Sequence, residues 1–262
     1  MKTNWKIALM CLTMVAFAVS CNPKNQPTDP GTTPSTDSVP SVDPGYVSPI
    51  NVKDNSVADW DALDQTKVAV ANVTAEPYYD GLKQLKVYSD GVYINFILVF
   101  DPAKYVSHTP NDALHMYLDV DHSDATGGFF DEFADAAADL MFEGSLFDDF
   151  GNPIPYSPSM YKWIGQEGGQ PSERIGWEEG WGEPIGTVKG ENQFVGDSII
   201  EGRLIVGLIS DKFAAEGFGI GFDLQQNFNS IGLLPQLDAQ GEEGEFIGRT
   251  NMLFVPFDES EE

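Results

Sequence analysis

The sequence predicts an all-β domain: a two-sheet antiparallel β-sandwich of jelly-roll type with at most one short helix. In several short segments apolar residues recur at every second position, as side chains do along one face of a strand. The chain also contains 26 glycines and 17 prolines, which supply the turns that short strands need. Many short strands separated by turns are typical of a sandwich, and a closed barrel is the alternative.

The clearest strand is GVYINFILVF, residues 91–100, in which Ile94, Phe96 and Leu98 lie on one face. The segment QLKVY precedes it, and Asp90-Gly91 between the two runs predicts a hairpin turn. The same periodicity predicts further strands within residues 67–74, 113–120, 198–209, 217–225 and 250–257.

One stretch departs from this alternation. In FFDEFADAAADLMFEG, residues 129–144, Phe130, Phe133 and Met141 recur near helical spacing, which predicts the single short helix. Asp131 and Asp135 then share the opposite face with Asp139, and like charges four residues apart disfavour a helix. The tail ADLMFEG fits a strand equally well.

The N-terminal segment predicts export and lipidation. A positive start and the apolar run IALMCLTMVAFAV have the form of a signal peptide over residues 1–20. The sequence AVSC resembles the lipobox of bacterial lipoproteins, which implies cleavage before Cys21 and a lipid on that cysteine; an ordinary signal peptide is the alternative. Residues 21–50, rich in Pro, Ser and Thr, predict an extended tether, and residues 51–262 the folded domain. Asn22 instead of an aspartate favours the outer membrane, on its periplasmic side or at the cell surface.

The charge excludes one class of partner. The chain has 41 acidic and 14 basic residues and a formal net charge of -27. Nucleic-acid binding depends on clustered Lys and Arg that contact phosphates, so no nucleic-acid partner is expected. An acidic surface is compatible with solubility, with bound cations and with neutral ligands such as glycans.

Four short motifs carry a resemblance to a known group of domains. They are VKDNSVADWDAL (52–63), LKVYSDGVYINF (85–96), MYLDVDHSDATGG (116–128) and ADLMFEG (138–144). Together they resemble DOMON-like β-sandwiches, which include family 9 carbohydrate-binding modules and domains of bacterial surface lipoproteins. The resemblance implies a β-sandwich; many members bind sugars, several carry structural calcium and some bind haem.

The segment LDVDHSDATGG is a candidate calcium loop. Calcium takes six to eight oxygen ligands, and strand parity places Asp119 and Asp121 on one face. The loop does not match the EF-hand pattern, so further ligands must come from elsewhere. The expected donors are Asp119, Asp121, Asp124 and Thr126 in the loop and, by the resemblance, Asp139 and Glu143. The alternative is a polar loop whose aspartates cap turns.

An aromatic segment and a polar strand end are candidate ligand contacts. Residues 155–184 contain several Trp and Tyr side chains among Gly, Pro and Glu, and sugar rings stack on flat aromatics; the alternative is burial in the core. The candidate ligand-binding residues are Tyr161, Trp163, Trp177 and Trp181 in this segment and Gln225 and Asn227 in DLQQNFN. The last two also fit a simple turn.

These observations predict a non-catalytic, membrane-anchored lipoprotein whose sandwich binds a ligand, with carbohydrate favoured and calcium as the expected cofactor. Its partners are a glycan or a surface protein, and the lipid bilayer through the acyl chains on Cys21. One alternative is a glycoside hydrolase or another enzyme that uses two carboxylates. A second is a haem-binding domain, which needs His or Met axial ligands; His115 and Met116 are the available residues.

Overall fold

The computed structural model describes residues 46–73, 79–106, 108–123, 125–128, 137–165, 180–205, 213–214, 216–236 and 252–257. Over these residues the fold is all-β, with two antiparallel sheets packed face to face, which confirms the predicted β-sandwich. The predicted signal peptide, Cys21 and the tether up to residue 45 lie outside the described residues. No helix in the described part of the chain is both long enough and apolar enough to span a membrane.

The strands in chain order are β1 (Ala69–Asn72), β2 (Leu82–Ser89), β3 (Tyr93–Phe100), β4 (Ala113–Asp119), β5 (Leu140–Ser145), β6 (Ser159–Lys162), β7 (Gly186–Thr187), β8 (Gly190–Val195), β9 (Ile199–Ile205), β10 (Gly217–Gln226), β11 (Asn229–Leu234) and β12 (Leu253–Pro256). Sheet A has the order β1-β2-β3-β9-β8. Sheet B has the order β11-β10-β4-β5-β6-β7, and β12 also pairs with β10. The β10 edge opposite β4 is thus shared, with β12 beside the first half of the strand and β11 beside the second.

The core lies between the sheets and follows the predicted alternation. From sheet A, Phe96 and Leu98 are buried; from sheet B, Met116 and Leu118 are buried in the same cluster. The rings of Phe96 and Phe222 lie 5.0 Å apart across the sandwich. Burying such side chains stabilises the fold by about 1.5–3 kcal/mol each.

The predicted hairpin joins β2 to β3. Gly91 has a φ of 77°, and Asp90 Oδ1 accepts hydrogen bonds from the backbone N–H groups of Val92 (3.0 Å) and Tyr93 (2.6 Å). The Asp-Gly pair therefore makes the turn through the aspartate's local hydrogen bonds and the glycine's freedom at positive φ.

The predicted helix over residues 129–144 is corrected in its second half. Leu140–Ser145 forms β5, paired with β4 on one side and β6 on the other. Cross-strand pairing on both edges outweighs the helical spacing. The alternative prediction of a strand for ADLMFEG is therefore confirmed. Residues 129–136 lie outside the described residues. The one helix described is a short 3-10 helix, Ala58–Ala62.

The chain before β1 covers the outer face of sheet A. Ile50, Val52 and Trp60 are buried there in a cluster with Tyr88 and Ile97. Ile50, at the end of the predicted tether, thus belongs to this packed cover, and Ser48 Oγ donates to Asp90 Oδ2 at 3.1 Å.

Candidate binding site and metal centre

The outer face of sheet B gathers most of the chemistry-bearing side chains. Leu114, Met116 and Leu118 of β4 point into the core. The alternating residues His115, Tyr117 and Asp119 therefore point to the outer face. Strand register then forms rows across this face. The first row contains Ser159, Glu143, His115 and Asp223; the second contains Tyr161, Met141, Tyr117 and Gly221; the third places Asp119 beside Gly219, with Asp139 directly before β5.

Asp119, Asp121 and Asp139 form an acidic cluster at one end of this face. One carboxylate oxygen from each lies within 4.8 Å of the other two. This spacing matches two oxygens on opposite sides of a calcium ion, about 2.4 Å from it. Asp119 is only 9% exposed, and its Oδ1 is buried without a hydrogen-bond partner among the described residues. Such an unsatisfied carboxylate oxygen is costly, and a cation between the three carboxylates removes that cost.

The surrounding loop fixes the orientation of the cluster. Thr126 Oγ1 donates to both oxygens of Asp121 at 2.9 Å, and the Ser123 N–H donates to Asp121 Oδ1 at 3.1 Å. The Val120 N–H donates to Asp139 Oδ2 at 2.9 Å. The predicted turn-capping bonds are therefore present, and they hold the carboxylates close together rather than apart.

The two more buried carboxyls of the cluster resist ionisation. Burial raises the pKa of Asp139 to about 6, and burial also raises the pKa of Asp119, with the neighbouring Asp121 adding to both shifts. A divalent cation reverses this by stabilising the ionised forms. The donor set consists only of oxygens, which fits calcium.

The other predicted ligands separate into three cases. Thr126 contacts the cluster through Asp121, whereas Asp124 lies outside the described residues. Glu143 does not join: it lies two rows away, with Oε2 3.7 Å from His115 Nε2. Because β5 is a strand, four residues separate Asp139 from Glu143 by about 13 Å, whereas a helix would have brought them together.

The middle of the outer face is covered by an aromatic cluster. Trp163 and Trp181 are 5% and 1% exposed, and their rings meet edge to face at 5.4 Å. They pack on Tyr117 and Met141, with the partly buried Tyr161 beside them. Trp163 and Trp181 are therefore buried packing residues, as the alternative interpretation of this segment expected, because neither ring is open to solvent. Trp177 lies outside the described residues.

A cavity of about 600 Å³ opens at the other end of this face. Its walls are formed by Pro110, Asn111, Ala113, His115, Glu143, Gly144, Ser145, Ile154, Pro155, Ser157, Ser159, Gln225 and Phe228. The first row supplies His115 and Glu143, and the next positions along β4, β5 and β10 supply Ala113, Ser145 and Gln225. Small side chains at the floor leave the space that the neighbouring loops enclose.

A hydrogen-bonded network supports the cavity from below. Asp223 is fully buried, and its Oδ2 accepts hydrogen bonds from Gln225 Nε2 (2.7 Å) and Ser230 Oγ (2.9 Å). His115 Nδ1 lies 3.8 Å from the same oxygen and 3.4 Å from the Tyr117 hydroxyl. Burial raises the pKa of Asp223 to about 6 and lowers the pKa of His115 to about 4. The network positions neutral donors and acceptors at the cavity wall.

The two predicted residues at the end of β10 have different positions. Gln225 lines the cavity, and its side chain is oriented by Asp223. Asn227 belongs to the turn between β10 and β11, where its backbone N–H donates to Asp112 Oδ1 at 3.0 Å. Phe228, which follows it, lines the cavity and had not been singled out from the sequence, because Asn-Phe is not a usual hairpin signal.

His115 and Met116 do not share a site. His115 points to the outer face of sheet B, whereas Met116 is buried in the core. Adjacent residues of a strand face opposite sides, so the two side chains cannot be the axial ligands of one haem.

The fold and this face define a class of protein, a β-sandwich with a polar cavity and an acidic cluster on one sheet. Comparisons of the chain with protein-family models, curated proteins and solved structures find no significant match.

Proposed function

We propose that the chain is a membrane-anchored lipoprotein whose β-sandwich is a non-catalytic, carbohydrate-binding domain. The cavity on the outer face of sheet B carries this proposal. Its wall offers two amides, a carboxylate, an imidazole and several hydroxyls, together with the exposed ring of Phe228. A few oriented polar groups beside an apolar surface are typical of small-molecule sites, and they match the hydroxyl edge and C–H face of a sugar.

Binding fits this cavity better than carboxylate catalysis does. A glycoside hydrolase needs two carboxyl groups that flank the scissile bond. Among the described residues, Glu143 is the one carboxylate in the cavity wall. Asp223, the next carboxyl in its row, is fully buried and accepts hydrogen bonds from Gln225 and Ser230, so it orients the wall rather than contacting a ligand.

Calcium is proposed at the acidic cluster, with Asp119, Asp121 and Asp139 as ligands. Asp119 and the cavity residue His115 are four positions apart on β4, about 13 Å along the strand. The ion therefore does not contact a sugar in the cavity. It stabilises the end of β4 and the loop that follows, and so supports the binding face.

The membrane anchor is proposed at Cys21. In a bacterial host grown with an alkyne-labelled fatty acid, the chain is expected to become labelled and to fractionate with membranes. The Cys21→Ser variant is expected to lose the label and enter the soluble fraction. A labelled Cys21→Ser variant would place the lipid elsewhere.

Carbohydrate binding is tested by probing a glycan array with the full chain, purified in detergent and loaded with calcium. The expected result is selective binding to a related set of glycans. Gln225→Ala should weaken it, and Gln193→Ala, which changes an amide on sheet A, should not. Absence of binding to any glycan, with the protein folded, would reject the carbohydrate proposal in favour of a surface protein partner.

A further inference from the structure

The turn between β10 and β11 places an aromatic residue where the backbone favours glycine. Asn227 and Phe228 connect the paired residues Gln226 and Asn229, and both have positive φ, 51° and 65°. Two-residue hairpin loops with positive φ at both positions favour Asn-Gly. Asn227 fits that preference, whereas a bulky side chain at positive φ is an outlier that costs stability.

Packing does not explain the phenylalanine. The side chain of Phe228 is 71% exposed, so it gains little from burial. The Phe228 N–H donates to Asn111 O at 3.2 Å, a bond that glycine would make equally well. A strained residue that gains so little in the fold points to a role outside it.

A second turn at the same end of the domain provides the contrast. Between β5 and β6, the position with a φ of 76° is occupied by a glycine, Gly151. Its neighbour Phe150 is 90% exposed but does not line the cavity. At this turn the positive φ is taken by glycine and the exposed aromatic residue precedes it, whereas in the turn between β10 and β11 the aromatic residue itself has the positive φ.

The position of Phe228 is fixed relative to the cavity. The Asn227 N–H donates to Asp112 Oδ1, and Gln226 Oε1 accepts from the Val106 N–H at 2.9 Å. The turn is therefore tied to the loop between β3 and β4. Phe228 forms one side of the cavity, and Gln225 and Glu143 offer polar groups in the same wall.

We infer that Phe228 is the platform on which one sugar ring of the bound carbohydrate stacks, held at a cost to stability because the cavity requires an aromatic there. Stacking on the C–H face of the ring leaves its hydroxyl edge to Gln225, Glu143 and His115. This inference rests on the proposed function and adds to it the residue that contacts the apolar face of the sugar.

The test measures stability and affinity together in the full chain, with the glycan that binds best on the array. Phe228→Gly is expected to raise the melting temperature and to weaken binding about tenfold, the loss of one aromatic contact. Phe228→Trp should keep the affinity. Phe150→Ala is the matched control, an exposed aromatic outside the cavity, and should leave the affinity unchanged.

Each outcome decides a different point. Binding by Phe228→Gly within about twofold of the unsubstituted chain would overturn the platform role while leaving the carbohydrate proposal intact. A lower melting temperature in Phe228→Gly would show that the ring stabilises the fold, and would overturn the inference. If the unsubstituted chain binds no glycan, the proposed function fails and this inference fails with it.

Discussion

The outer faces of the two sheets differ in what lies over their buried carboxyl groups. On sheet A, Glu201 is fully buried, but Oε1 accepts a hydrogen bond from Trp60 Nε1 at 2.6 Å and Oε2 accepts one from Gln193. On sheet B, Asp119 and Asp223 each keep one buried oxygen without a partner among the described residues. The outer face of sheet A is covered by the chain before β1, although Asp59 Oδ1 and Asn95 Oδ1 there also lack a partner among the described residues. The outer face of sheet B carries the cavity and the acidic cluster, where we propose that ligands bind.

The charged side chains on the two outer faces also differ in their surroundings. Arg203 donates to Glu191 and to the Ile50 carbonyl oxygen (3.2 Å), and its guanidinium lies 4.3 Å from the centre of the Tyr93 ring. On sheet B, Glu143 stands at the open cavity, where burial raises its pKa. We therefore assign packing to the outer face of sheet A and binding to that of sheet B.

The largest effect expected is on the stability of the covered face. Trp60→Ala should lower the free energy of unfolding by about 3–5 kcal/mol, because it empties a buried site and removes a donor to Glu201. Trp60→Phe keeps most of the volume and should cost less. Urea denaturation measures both. Weaker glycan binding by a Trp60 variant that remains folded would contradict the division between the faces.

The pH dependence of stability should separate Asp223 from His115. The pKa of Asp223 is raised from 3.8 to about 6, so its contribution is complete below pH 4 and is lost as the pH rises towards 6. The pKa of His115 is lowered from 6.5 to about 4, so its contribution is complete above pH 6.5 and is lost as the pH falls towards 4. Each is worth about 3 kcal/mol across its window.

These two contributions oppose each other in the unsubstituted chain. Relative to it, Asp223→Asn should gain stability as the pH rises from 4 to 6, and His115→Asn should lose it. Urea titrations at several pH values measure the two slopes, and the other carboxyls cancel because all three proteins contain them. Parallel slopes in the three proteins would mean that neither group is perturbed by burial.

Calcium should stabilise the open face through the acidic cluster. At a hundredfold excess over Kd, calcium is expected to raise the free energy of unfolding by about 2.7 kcal/mol. Asp119→Asn should abolish that gain, and Asp61→Asn, an exposed carboxylate on the 3-10 helix, should keep it. An unchanged calcium response in Asp119→Asn, measured by melting with calcium and with chelator, would place the ion elsewhere.

The smallest effect is the pH dependence of calcium affinity. The pKa of Asp139 is about 6, and a protonated carboxyl is a poor ligand, so protons compete with calcium below that pH. The affinity should fall by up to about tenfold for each pH unit below 6, as one proton is displaced per ion. Calorimetric titration at pH 5, 6 and 7 measures this, and a constant affinity would exclude Asp139 as a ligand.

Strand parity predicted part of the acidic cluster. Alternation placed Asp119 and Asp121 together, and the resemblance added Asp139, which the structure brings to them. The resemblance did not hold for Glu143, because β5 is extended and carries that carboxylate to the cavity, away from Asp139. The local sequence pattern of ADLMFEG cannot distinguish a helix from a strand, because cross-strand pairing decides between them.

The cavity itself was beyond the reach of sequence patterns. His115 and Asp223 meet because β10 pairs with β4, a register set by long-range packing. Trp163 and Trp181 had the composition of a sugar-binding segment, yet they are buried against Tyr117. Phe228 could not be identified as a candidate contact from the sequence, because its positive φ is a property of the folded backbone.

The most direct test places the same bulky ring on each sheet. Ala113→Phe fills the cavity floor on sheet B, and Val70→Phe adds a ring at an exposed position of sheet A. Both are compared with the unsubstituted chain by calorimetric titration with the best-binding glycan from the array. We predict that Ala113→Phe abolishes binding and that Val70→Phe leaves it unchanged. Full affinity in a folded Ala113→Phe variant would contradict the assignment of binding to this cavity.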